Sequence, residues 1–201
     1  MWTFRIHDTL SGALLTVVNP SSGSWRRSFT AIGSGSHVFQ LRDAEERGAQ
    51  TISDWKSLWR NITRPWARTL VVCWGDVPLY AGMIVSRKYD KTKGTLTVQH
   101  EEFAAILKRR HMYSLDSFNP SAALVLNNVS FQGLLRGVVL PGVNIAGAPY
   151  WTLPVDLPAA QSGSLSMTWY QYQGMTISDM LDEVSRMTGS PDWDFRPKFD
   201  A

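Results

Sequence analysis

The sequence of 201 residues contains a single cysteine, Cys73, so no disulfide can form within one chain. Cys73 sits in the apolar run Leu70-Val71-Val72-Cys73-Trp74, where a small buried thiol is expected. Runs of this length fall far short of the roughly 20 residues that a membrane-spanning helix needs, and the opening Met1-Trp2-Thr3-Phe4-Arg5 lacks the basic-then-apolar layout of a signal peptide. The chain is expected to have no membrane span. Motifs that announce chemistry are also missing: there is no Gly-x-Ser-x-Gly elbow, phosphate loop, His-Glu-x-x-His or Cys-x-x-Cys. Nucleophilic hydrolysis, nucleotide binding and structural zinc therefore lack their usual entry signal. The histidines at 7, 37, 100 and 111 fall on separate elements and read as isolated rings, so no metal ligands and no cofactor are assigned. Glu101 and Glu102 are adjacent, but glycosidase chemistry needs two carboxyls across a cleft and no partner is identifiable. At the start of an expected helix their charge favours the macrodipole. No enzyme activity is expected.

With 44% hydrophobic and 18% charged residues, the chain can bury a sizeable core and lies between one large domain and two small ones. The net charge of +3 conceals an imbalance: residues 1–110 hold 16 Lys+Arg against 9 Asp+Glu, and residues 111–201 hold 4 against 8. Opposite poles suit head-to-tail docking of neighbours. A chance distribution of charge over a solvated surface gives the same counts.

Period-2 patterning places a hairpin at Trp2 to Asp8 and Leu14 to Val18, turning at Gly12. Asn19 to Ser24 reads as loop, Trp25 to Thr30 as strand, and Ser36 to Arg42 as another, followed by a polar loop over 43–50. Trp55, Leu58 and Trp59 stand at helical spacing, with Thr51 and Asp54 as a capping pair, and Arg64-Pro65-Trp66 ends that helix. Thr69 to Trp74, Leu79 to Tyr89 and Thr95 to Gln99 continue the strands, with turns at Gly75-Asp76 and Asp90 to Gly94. Glu101 to Arg110 reads as a short basic helix.

The second half differs. Phe131, Leu134, Leu135 and Val138 make a helical stripe despite Gly133 and Gly137, each worth about 1 kcal/mol of lost propensity. Residues 141–164 carry four prolines and read as an extended arm or binding loop that crosses to a neighbour. Leu165 to Tyr172 is a strand, and Thr176 to Thr188 a helix with a Thr176/Asp179 capping box and Gly189 beyond its end. Trp193 to Arg196 begins a further strand. The expected fold is α+β, mainly β: an antiparallel barrel or sandwich over residues 1–112, then a smaller α+β domain over 113–201 that continues past Ala201.

Nine tryptophans suggest sugar stacking, for which Trp55, Trp59, Trp66, Trp151 and Trp169 are candidates, the first three above all, although tryptophan also serves cores and interfaces. Arg64 and Arg68 beside Trp66, with Lys108-Arg109-Arg110-His111, resemble an aromatic-basic nucleic-acid groove, but the acidic second half opposes that reading.

In sequence order, Trp25-Arg26-Arg27-Ser28-Phe29, Tyr80-Ala81-Gly82-Met83-Ile84, Gly94-Thr95-Leu96-Thr97-Val98 and Ala105-Ile106-Leu107-Lys108-Arg109-Arg110 resemble the front of the siphophage tail-hub proteins, the minor tail proteins of phages infecting actinobacteria. The segment Tyr172-Gln173-Gly174-Met175-Thr176-Ile177 resembles the family's stretch before a helix, so the likeness spans most of 25–196. Each motif alone is a few common residues, and none transfers a catalytic role. The resemblance implies a virion protein at the distal end of a long non-contractile tail. It would form a homotrimeric hub that closes the tail tube beside the distal tail protein, the tape-measure protein and other tail-tip proteins, with DNA only passing through during ejection. Under that reading Arg26, Arg27, Arg109, Arg110, Trp151 and Pro154 are the inter-subunit contacts. The alternative is a tail-tip module that grips host cell-wall glycan. Members of the family are much longer than this chain.

Overall fold

A computed structural model describes residues 1–42, 52–112, 121–144 and 152–199. The chain divides into two compact units, Met1–Phe103 with the C-terminal segment from Asp194, and Ala104–Trp193. The fold is α+β and mainly β.

Unit 1 is built from β1 (Trp2–Asp8), β2 (Leu14–Val18), β3 (Ser22–Trp25), β4 (Ser34–Gln40), α1 (Ile52–Ile62), β5 (Arg68–Trp74), β6 (Val77–Asp90) and β7 (Thr95–Glu102). The strands form one antiparallel sheet in the order β2-β1-β5-β6-β7-β4-β3. Side-chain alternation gives this sheet an inner face carrying Phe4 and Ile6 of β1, Tyr80 and Ile84 of β6, Phe39 of β4, and Leu96 and Val98 of β7. Phe4 meets His37 at 5.2 Å between ring centroids, and Trp2 meets Trp25 at 6.4 Å. Strands four or more places apart in the order thus touch through their inner side chains. The sheet is a single rolled, barrel-like layer, and the described strand pairs leave β2 and β3 as its edges.

One end of the roll is filled by Ile6, Val18, Phe39, Leu41, Trp59, Leu70, Ile84, Leu96 and Val98. Helix α1 closes this end because Trp55, Leu58, Trp59 and Ile62 share one helical face. Trp59 is 1% exposed, lies 5.1 Å from the Phe39 ring and donates its indole N–H to the Leu41 carbonyl at 3.2 Å. Thr51, the expected cap, lies outside the described residues.

Several expectations are displaced. The strand expected at Trp25 to Thr30 lies at Ser22–Trp25, because its ladder partner β4 begins early, pairing Trp25 with Gly35 and Ser22 with Val38. The basic helix expected from Glu101 shrinks to α2 (Ala104–Leu107), because β7 continues through Glu102 to pair with Gly82 and Met83. Trp193 to Arg196 forms no strand. In place of a ladder, side chains hold the C-terminal segment on unit 1: Asp194 binds Arg27, the Phe195 ring lies 4.9 Å from Phe103, and Phe199 stacks on His7 at 5.6 Å under the Arg5 guanidinium.

Unit 2 contains α2, β8 (Ala123–Val129), α3 (Phe131–Val143), β9 (Leu165–Tyr170) and α4 (Ile177–Ser185), with β8 and β9 paired antiparallel. The glycines of α3 have a packing role: a Cβ on Gly133 would stand 2.7 Å from the Gln161 carbonyl, and one on Gly137 would strike Leu126 of β8. Residues 152–163, part of the expected arm over 141–164, are hydrogen-bonded to their own unit. Leu153 N–H donates to the Val143 carbonyl, Arg136 Nε to Pro158 at 2.8 Å, and Gly163 N–H to Asn128 at 2.9 Å. Helix α4 has the expected capping box, with Asp179 N–H on Thr176 Oγ1 and Thr176 N–H on Asp179 Oδ2. It ends at an Arg186 cap rather than at Gly189, whose φ of 83° serves the following turn.

The units redraw the charge map. Lys108, Arg109 and Arg110 fall in unit 2 while Asp194 and Asp200 belong to the segment that returns to unit 1. Unit 1 then counts 15 Lys+Arg against 11 Asp+Glu, and unit 2 counts 5 against 6, or +4 and −1. The strong poles inferred from a division at residue 110 are therefore muted.

Candidate functional site

Two arrangements in unit 1 bring together residues far apart in sequence. The first is buried. His37 on β4 and His100 on β7 stack at 4.9 Å, with His37 Nδ1 at 2.7 Å from His100 Nε2, and the Tyr80 hydroxyl lies 2.9 Å from His100 Nδ1. The rings continue through Trp25, 5.2 Å from Tyr80, to Trp2 and Trp74. Room for the imidazoles comes from glycines on neighbouring strands: a Cβ on Gly23 would lie 2.2 Å from His37 Cδ2, and one on Gly35 would lie 2.3 Å from His100 Cε1. Gly82 lets the Tyr80 side chain lie across its own strand. Burial lowers His37 to about 4 and, with the neighbouring His37 as a second cause, lowers His100 to about 3. Burial also raises the Tyr80 phenol. The chain is satisfied with both imidazoles neutral, and they cannot both be protonated without setting N–H against N–H. The reading of four isolated histidines fails here because β4 and β7, distant in sequence, are neighbours in the sheet. Among the described residues no cluster of three or more His, Cys, Asp or Glu side chains could hold a metal.

Beside the imidazoles, Glu102 accepts the Gly33 N–H at 2.6 Å and faces Arg27 Nε at 3.7 Å. Burial raises its carboxyl pKa, against hydrogen bonds from the Gly33 and Ser28 backbone and the Arg27 charge. Glu102 therefore anchors the inner face of β7, and the helix-dipole role expected for it does not arise. Cys73 is buried, with its thiol pKa raised chiefly by desolvation.

The second arrangement is open to solvent. A groove of about 700 Å³ runs between α1, the end of β4 and the β6–β7 turn. Lys56 and Arg60 come from successive turns of α1, Arg42 follows β4, and Lys91 and Lys93 sit in the turn. Trp55 and Tyr89 supply its aromatic wall, and both also pack against the core cluster. The described lining holds five cations and no carboxylate. The Tyr89 hydroxyl is buried and finds no hydrogen-bond partner among the described residues.

The residues singled out from sequence disperse. Arg26 is exposed and lines a shallow cleft with Trp25 and Glu101. Arg27 is committed to Asp194 and Glu102. Arg109 is exposed, whereas Arg110 is 8% exposed and donates to the Gly142 carbonyl, so the Lys108–His111 cluster is split between surface and interior. His111 Nδ1 lies 3.1 Å from the Met175 carbonyl. Pro154 is exposed, and Trp151 lies outside the described residues. Of the candidate sugar-stacking tryptophans, Trp55 faces the groove, Trp59 and Trp169 are core, and Trp66 is half-buried at a positive φ of 61°. Arg68, one of the two arginines beside Trp66, pairs with Asp8 at 2.5 Å. The cationic groove was missed because its residues come from three separate segments.

No protein-family model matches the sequence, and no curated protein matches it. Solved structures do. A tail protein from Neisseria meningitidis aligns over 92% of this chain and 45% of its own, with a TM-score of 0.50 at 11% identity. The 43 kDa tail protein of prophage MuSo2 from Shewanella oneidensis aligns over 92% and 49%, with a TM-score of 0.47 at 14% identity. The chain spans about half the length of either protein. What it shares with the Neisseria protein at this identity is the fold.

Proposed function

We propose that this chain is a structural protein of a phage tail, part of a trimeric hub at the distal end of the virion's tail. Its rolled sheets would close the tail tube and join it to host-recognition components. Its work is mechanical rather than catalytic: it packs against copies of itself, the tail tube, the distal tail protein and the tape-measure protein, and DNA passes only at ejection. The observation that carries this reading is the fold shared with the Neisseria tail protein across nearly the whole chain. The four ordered motifs between Trp25 and Arg110 support the hub position.

Sedimentation of the purified protein, with and without distal tail protein, tests it. A trimer, or a stable complex with that partner, is the expected result. A strictly monomeric species at high concentration that binds neither the tail tube nor the distal tail protein would count against the hub.

A second reading, a module that grips cell-wall glycan, draws support from Trp55 on the wall of the cationic groove. Pull-down on purified cell wall separates the two.

A further inference from the structure

We infer that the groove between α1 and the β6–β7 turn binds a phosphate-dense, non-aromatic polyanion: a phosphodiester chain of polyol units. Lys56 and Arg60 on one helix face, Arg42 after β4, and Lys91 and Lys93 on the turn converge on one hollow. Five cations in a concavity of about 700 Å³ match a flexible anionic strand, since a hollow that size admits a few linked units and not the convex cylinder of duplex DNA. The balance of side chains selects the polymer further. Proteins that hold single-stranded nucleic acid stack successive bases on aromatic faces. Here the described lining has two aromatic rings, Trp55 and Tyr89, against five cations, and both rings are partly occupied in packing on the core. Charge pairing therefore dominates over stacking. The acidic unit of a second copy is a poor occupant, because unit 2 carries a net charge of only −1. The Asp90 carboxylate accepts the Thr92 and Lys93 N–H groups at 3.0 Å each, which fixes the turn that presents Lys91 and Lys93.

The test uses the whole chain and labelled poly(glycerol phosphate), titrated by fluorescence anisotropy over a range of salt. Each phosphate contacted contributes about −0.7 to the slope of log K against log salt, so full engagement gives roughly −3.5. The triple variant Arg60→Gln, Lys91→Gln, Lys93→Gln changes only exposed side chains. It should weaken binding at least tenfold and flatten the slope to about −1.4. No binding at low salt overturns the inference, as does a variant that binds like the parent. Equal or tighter binding of an oligodeoxythymidylate of matched charge also overturns it, reassigning the groove to nucleic acid. The inference is independent of the hub reading: a trimer that ignores the polymer defeats the groove alone, and a monomer that binds the polymer but neither the tail tube nor the distal tail protein counts against the hub alone.

Discussion

His37 Nδ1 lies 2.7 Å from His100 Nε2 in the interior of the rolled sheet, and neither residue is more than 2% exposed. In an unfolded chain both would titrate near pH 6.5, whereas in the fold they stay neutral to about 4 and 3. Between those limits the unfolded chain binds protons that the folded one refuses. Stability should therefore fall as pH falls from about 6.5 towards 4, by an amount on the order of a kcal/mol per pH unit for the pair. Urea midpoints measured across that window should decline, and His37→Gln should remove part of the slope. A flat profile would disprove the buried neutral pair.

Gly35→Ala should destabilise unit 1 by about 1–3 kcal/mol or more, because the added Cβ would meet backbone as well as a ring: the Ser24 carbonyl at 2.5 Å and His100 Cε1 at 2.3 Å. Gly94→Ala provides the contrast. Nothing lies within 4 Å of its Cβ, and its φ of 62° alone costs about 1–2 kcal/mol. Thermal unfolding of the two variants would show whether crowding at the imidazoles outweighs backbone strain at the turn.

Arg27→Met should release the C-terminal segment, since Arg27 binds Asp194, and should leave Glu102 without its cation. A partly buried carboxylate stripped of its partner costs roughly 1–3 kcal/mol, less than the roughly 3–5 kcal/mol of a fully buried pair. The cost depends on pH in a stated direction. A raised carboxyl pKa means that the folded state holds the proton more tightly, so this group's contribution is present at low pH and lost as pH rises through the folded value. The difference between variant and parent should accordingly be larger once the pH has risen through the folded value than below it. Hydrogen exchange should report faster opening over residues 194–199, and unchanged exchange there would contradict the tether.

Thr176→Ala should cost α4 about 1 kcal/mol by deleting the acceptor for the Asp179 N–H. Asp179 is held below the usual carboxylate range first by the Thr176 backbone N–H and then by its hydroxyl, so part of that depression should vanish in the variant. Carboxyl titration by NMR would measure it.

Elements whose neighbours in sequence are also their neighbours in space were legible. The hairpin β1–β2 and its Gly12 turn, the run β5–β6–β7 and the capped helix α4 follow from alternation, turn residues and a capping pair that act within a few positions. β3 was misplaced because Ser22-Gly23-Ser24 has loop composition and becomes strand only by pairing with β4. β8 carries no legible strand signal, since Asn127 and Asn128 disturb the alternation and its partner β9 begins 36 residues after β8 ends. Glu102 shows the same competition in reverse: local sequence favours a helix start, and the ladder with Gly82 wins.

By itself the sequence determined the mainly β character, the turns, the helix faces and the burial of the lone cysteine, because these depend on side-chain period and backbone preference over short distances. Only the tertiary structure decided that His37 meets His100, that Arg27 clasps a carboxylate from the far end of the chain, and that five cations share one groove. Those meetings are set by the register of non-consecutive strands and by how far the sheet rolls, and both are fixed by burying the whole inner face at once.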